Sequence, residues 1–153
     1  MKNAARNGFT LLELMTVVAI IALLATLVVP SFAAMLNKER LVSMTNNLAA
    51  TYQAARSEAI KRNTDVSMQL VNRRWQAQDA DTAEVFVYSG NFDGGVSVSQ
   101  VPELNIAATG SVSVVPPATM PVQITLANLH NEGCSVLTIL PSGQMTTNVG
   151  SCP

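Results

Sequence analysis

From Leu14 to Leu36 the chain runs for 23 residues without a charge, and a single acid, Glu13, stands at the head of that run. At about 1.5 Å of rise per helical residue the run covers roughly 34 Å, against about 30 Å for the hydrocarbon core of a bilayer. It therefore reads as a membrane-spanning helix. Lys2 and Arg6 precede it, which places the N-terminus in the cytoplasm by the positive-inside rule and the rest of the chain on the far side. A secretory signal peptide shares the basic start, but its apolar region is only about 7–15 residues long and ends at a small-residue cleavage site. Here the run is longer, carries Glu13 and offers only the weak pair Ala33, Ala34. A carboxylate in such a segment costs a few kcal/mol unless something neutralises it, so Glu13 calls for a partner.

The 153 residues suit one modest domain beyond the span. A formal net charge of −1 conceals a segregation. All nine Lys and Arg lie at or before Arg74, whereas Trp75 onward carries only acids: Asp79, Asp81, Glu84, Asp93, Glu103 and Glu132. An acidic distal half repels a phosphate backbone and disfavours nucleic acid as a partner. The two cysteines, Cys134 and Cys152, lie in the exported part without CxxC spacing, which predicts a disulfide in preference to a metal or redox site.

Helical character continues past the span. Leu41, Leu48, Tyr52, Ala55 and Ala59 trace one stripe at steps of seven, four, three and four, and Glu58 precedes Arg62 by four, the favourable order for an ion pair. The expectation is one helix over Phe9–Asn63, loosened at Pro30, which lacks a backbone donor. After Asn63 come short β-rich pieces, "VSMQLV", "EVFVYS", "VSVS", "VSVV", "VQITL" and "SVLTIL", separated by turn residues. "LPSGQ" predicts a hairpin that carries Cys134 and Cys152 to one end of two paired strands. The predicted fold is α+β: a long N-terminal helix, apolar in its first half and amphipathic in its second, packed on an antiparallel sheet. The segments are 1–8 as a basic stretch ahead of the helix, 9–36 as the transmembrane half of the helix, 37–63 as its amphipathic half and 64–153 as a β-rich head.

Little in the sequence offers catalysis. The one histidine, His130, sits in the turn-like "HNEG" with no nucleophile and base arranged around it. Asp79, Asp81 and Glu84 in "DADTAE" have acidic spacing but lack the glycine and terminal bidentate acid of a calcium loop, so no metal or other cofactor is expected. Lys61, Arg62, Arg73 and Arg74 form a basic patch if the first strand returns along the helix end. Trp75 is expected in the core or at the domain edge, not as a base-stacking platform.

The stretch "RNGFTLLELMTVVAIIALLATLVVPSF", with Glu13 fifth after Gly8, resembles the N-terminus of type IV prepilins and type II secretion pseudopilins. "LAATYQAARSEAIKRN" further resembles the helix end of the GspH/FimT/FimU group of minor pilins and pseudopilins. The resemblance implies that a prepilin peptidase cuts after Gly8 and that Phe9 becomes the N-methylated first residue. It implies that Glu13 and Pro30 fill the family's acidic and helix-loosening positions, and that the partners are other minor and major pilins or pseudopilins, reached from the inner membrane with the head in the periplasm. Near the place where "LTILPSGQMTT" stands here, the DNA-binding FimT branch carries a Gly-Arg-x-Arg motif. Here the chain reads Gly143, Gln144, Met145, Thr146, so the arginines are missing. The implied function is assembly of a pilus as a minor pilin, with a secretion pseudopilin and a DNA-binding competence pilin as alternatives and no enzymatic activity. In that setting Glu13 would neutralise the ammonium of Phe9 on an adjacent subunit.

Overall fold

A computed structural model describes residues 9–92, 94–99, 101–116, 118–128 and 133–150. It contains one helix, α1 (Leu11–Arg62), followed by β1 (Val66–Val71), β2 (Arg74–Asp79), β3 (Val85–Tyr88), β4 (Val96–Val98), β5 (Leu104–Ile106), β6 (Val112–Val114), β7 (Val122–Asn128), β8 (Cys134–Ile139) and β9 (Met145–Gly150). The chain divides into two compact units, one ending at Leu36 and the other running from Asn37 onward.

The first unit is the apolar half of α1. Thr10 caps it, its side-chain oxygen accepting from the backbone N–H of Glu13 at 3.2 Å, while its carbonyl accepts from Leu14. Phe9, Leu12, Met15, Leu23, Val29 and Met35 are among the large apolar residues exposed on every side of this half. A helix apolar all round is one whose proper surroundings are lipid or other helices. It is long and apolar enough to cross a membrane. α1 continues through Pro30, whose missing N–H leaves the carbonyl of Thr26 without its usual donor.

In the second unit the expected stripe of Leu41, Leu48, Tyr52, Ala55 and Ala59 is buried. Thr45 completes it, halving the seven-residue step. Its hydroxyl donates back to the carbonyl of Leu41 at 2.8 Å, so a polar group is buried without losing a hydrogen bond. α1 stops at Arg62 because Asn63 turns left-handed at φ 55°, and the N–H of Thr64 reaches back to the carbonyl of Ala59, as in a Schellman ending.

One sheet of hairpins was the expectation; the strands form two. The first has the order β3-β2-β1-β5-β6, the second β4-β7-β8-β9, and every pairing is antiparallel. β2 and β5 lie outside the strand pieces legible in the sequence. Both have only two core-facing residues, Trp75 and Ala77 on one and Leu104 and Ile106 on the other, too few to show an alternating pattern. The inward rows of both sheets close on the helix stripe: Val66, Met68 and Leu104 from the first, Ile124, Leu126 and Leu137 from the second. Each large side chain fully buried there contributes about 1.5–3 kcal/mol. Trp75 lies within this core, and its indole N–H finds no hydrogen-bond partner among the described residues, so packing is what holds it.

Candidate assembly site

The N-terminal end of α1 brings Phe9, Thr10 and Glu13 together. With Thr10 as the cap, Glu13 occupies the third helical position, where the helix dipole favours a negative charge. Phe9 is 85% exposed and Glu13 is also exposed. The Glu13 side chain thus stands exposed on the first turn of the helix, amid apolar residues that have no covering in the monomer. Gly8 lies outside the described residues.

A second set of contacts, which the sequence did not announce, organises the head. The hydroxyl of Tyr52 donates to the carbonyl of Gly143 at 2.8 Å. One turn along α1, Nε of Arg56 donates to the carbonyl of Gly110 at 2.8 Å and an Nη reaches the carbonyl of Ser142 at 3.3 Å. Two turns, one from each sheet, are therefore tied to the same helix face. They are also tied to each other, since the N–H of Val112 donates to the carbonyl of Pro141 at 2.9 Å. The β8–β9 turn is the predicted "LPSGQ" hairpin, closed by Gly143 N–H to the Leu140 carbonyl and Leu140 N–H to the Gln144 carbonyl, both at 2.9 Å. Gly143 has φ +77°, and a Cβ placed there would stand 2.1 Å from the carbonyl oxygen of Gly110. Glycine alone fits.

A cleft of about 380 Å³ lies beside this clamp, between Gln53, Ser57 and Ile60 of the helix and Gln144 and Met145 of the hairpin. Arg56, from the helix, stands beside Gly143, and its Nε is committed to the carbonyl of Gly110. Burial pushes the phenol of Tyr52 above its ordinary value, against the opposing pull of the Arg56 charge.

The four basic residues do not converge. Lys61 and Arg62 bind Glu58 at 3.3 and 3.0 Å, and the Arg62 guanidinium lies 4.6 Å from the centre of the Phe86 ring. Their hydrogen bonds lower the Glu58 carboxyl, Arg62 most. Arg73 and Arg74 sit at the other end of the β1–β2 hairpin, about 17 Å away along a six-residue strand. There Arg74 bonds Asn91 and the Arg73 carbonyl accepts from Phe92. The acidic group resolves into a turn. Asp79 accepts from the backbone N–H of Asp81 and Thr82, each at 2.9 Å, and these bonds, Thr82 first, lower its carboxyl. No cluster of His, Cys, Asp and Glu able to hold a metal occurs among the described residues. Cys134 is buried, is disulfide-bonded and lies opposite Gly150 in the β8–β9 register. Cys152 and His130 lie outside the described residues.

Two family models match the chain. Residues 44–143 match type II transport protein GspH, and residues 3–29 match the prokaryotic N-terminal methylation motif. Among solved structures, the type IV minor pilin FimU of Pseudomonas aeruginosa is similar, with a TM-score of 0.56 and 22% identity, covering 72% of this chain and 90% of that one. It shares the fold, a long N-terminal helix packed on antiparallel sheets. No curated protein matches the chain.

Proposed function

The chain belongs to the GspH family of minor pilins and pseudopilins, and from that premise we propose that it is a minor type IV pilin which supports assembly of the fibre. The observation that carries this reading is the methylation motif lying over a helix half whose apolar side chains are uncovered in the monomer. The precursor sits in the inner membrane with its head in the periplasm. Prepilin peptidase cuts after Gly8, Phe9 becomes the methylated N-terminus, and the apolar half passes from lipid into a bundle of neighbouring helices. Glu13 then meets the Phe9 ammonium of an adjacent subunit, where desolvation makes a missing counter-ion costly. Pro30 loosens the helix where it must fit that bundle. The family is structural, and the function is contact with other pilins, without catalysis.

A GspH-like pseudopilin of type II secretion is the second reading, favoured by the match over residues 44–143. Direct DNA binding is disfavoured by Gln144 and Thr146, where the FimT branch has arginines, and by the acids of the distal half. Cys134 and Cys152 are read as a bridge that fastens the end of β9. By the chain-entropy model it stabilises the head by about 3 kcal/mol, and intact mass with and without reductant before alkylation checks it. The deciding experiment on function is mass spectrometry of the protein from membranes and from sheared fibres. A chain that begins at methylated Phe9 and is present in fibres is expected; an intact Met1, or absence from fibres, overturns the reading.

A further inference from the structure

We propose that the outer edge of β9 receives an extended strand from the head of a different pilin-family subunit; this deepens the minor-pilin reading and rests on it. The two sheets present four edge strands, β3 and β6 from the first and β4 and β9 from the second. Edge strands expose unpaired backbone groups, and proteins blunt them by shortness, bulges, charge or proline. Three of the four are blunted here. β4 and β6 are three residues long, and β6 also spends the N–H of Val112 on Pro141. β3 is interrupted by a register irregularity beside Phe86.

β9 has none of these devices. It is six residues long, keeps an unbroken register with β8, and carries no charge and no proline in "MTTNVG". Thr146 to Gly150 are all exposed, with Val149 at 51%. The hairpin shows which backbone groups are open. Leu140 and Gln144 form a hydrogen-bonded pair, so in the alternating antiparallel ladder Thr146, Asn148 and Gly150 point their N–H and C=O at β8. Met145, Thr147 and Val149 point theirs outward, where no strand pairs with them among the described residues. Water hydrates these groups in the free subunit, and the partner that matches a whole row of donors and acceptors at this spacing is another extended backbone. The turn from which β9 leaves is fixed to α1 through Tyr52, so the edge is presented by a rigid mount.

A second copy is the poorer occupant. Its own blunted edges offer no match, which leaves β9 against β9, a closed two-fold pair from which a filament cannot propagate. A strand from a different subunit makes an open contact.

The test uses the full chain in cells, with a photo-crosslinking residue at Asn148. Thr147→Pro removes one outward N–H and leaves the bonds to β8, a placement edge strands tolerate. Val149→Lys adds an edge charge without touching the backbone. Wild type is expected in sheared fibres, crosslinked through position 148 to a strand of another pilin-family subunit. Either variant should reach the membrane and be trimmed normally, yet lose that crosslink and fibre incorporation at least about tenfold, Thr147→Pro by leaving an interchain carbonyl without its donor and Val149→Lys by setting a charge at the joined edge. If Thr147→Pro fails to accumulate, Val149→Lys decides. Wild-type levels of crosslink in a variant that accumulates, or a crosslink joining two copies of this chain, overturns strand addition while the minor-pilin reading stands. Absence of the wild type from fibres overturns that reading instead.

Discussion

The hydroxyl of Tyr52 donates to the carbonyl oxygen of Gly143, 91 residues further along the chain, at 2.8 Å, with both residues buried. The helix of the head thereby holds the tip of its last hairpin. Removing the hydroxyl leaves a buried carbonyl without its donor, a cost of about 1–3 kcal/mol. Tyr52→Phe is expected to lower the denaturation midpoint accordingly without changing the slope, as chemical denaturation followed by circular dichroism will show.

Gly143→Ala should be worse. The new methyl group would stand against the Gly110 carbonyl and the Arg56 side chain, and the left-handed backbone at φ +77° disfavours any side chain. The expected loss is at least about 2 kcal/mol, because strain and a steric clash act at the same point. The same denaturation series should rank it below Tyr52→Phe; equal stability would show that the two turns can separate freely.

The head should lose stability at both ends of the pH scale, through different groups. The Tyr52 phenol is raised above its unperturbed 10.0 by burial. Above that pH the unfolded chain gives up the proton more readily than the native one, so this contribution is complete below about 10 and is lost as pH rises further. Asp79 is lowered below 3.8 by the N–H groups of Thr82 and Asp81. Its contribution is present above that value and is lost as pH falls through the lowered one. Tyr52→Phe should flatten the alkaline limb and Asp79→Asn the acid limb in melting temperature measured against pH.

Glu13→Ala is expected to leave trimming after Gly8 intact and to reduce incorporation into fibres, because processing reads the leader while assembly needs the counter-ion. Glu13→Gln keeps the shape and loses the charge, so it should behave like alanine. Comparing mature N-termini in membranes with subunit content in sheared fibres checks both. A Glu13→Gln chain incorporated as well as the wild type would show that pairing with an ammonium is not its role.

Some of this molecule is written in local patterns. The uncharged run from Leu14 to Leu36, the helical stripe from Leu41 to Ala59 and the "LPSGQ" turn depend only on spacing, length and turn chemistry between near neighbours, and the structure has them as helix, buried helix face and hairpin turn. Tertiary structure decided what depends on distant partners. Trp75 and Ala77 make β2 a strand only because Met68 and Leu70 of β1 and Val87 of β3 lie beside them. Two sheets form in place of one because β1 takes β5 as its second neighbour across the intervening β2, β3 and β4. Arg56 carries no mark in the sequence of its attachment to Gly110 and Ser142, since its acceptors are carbonyl oxygens that every residue possesses. The open edge of β9 likewise became visible only once the remaining strands had found their places, because an edge is defined by the pairings a strand lacks.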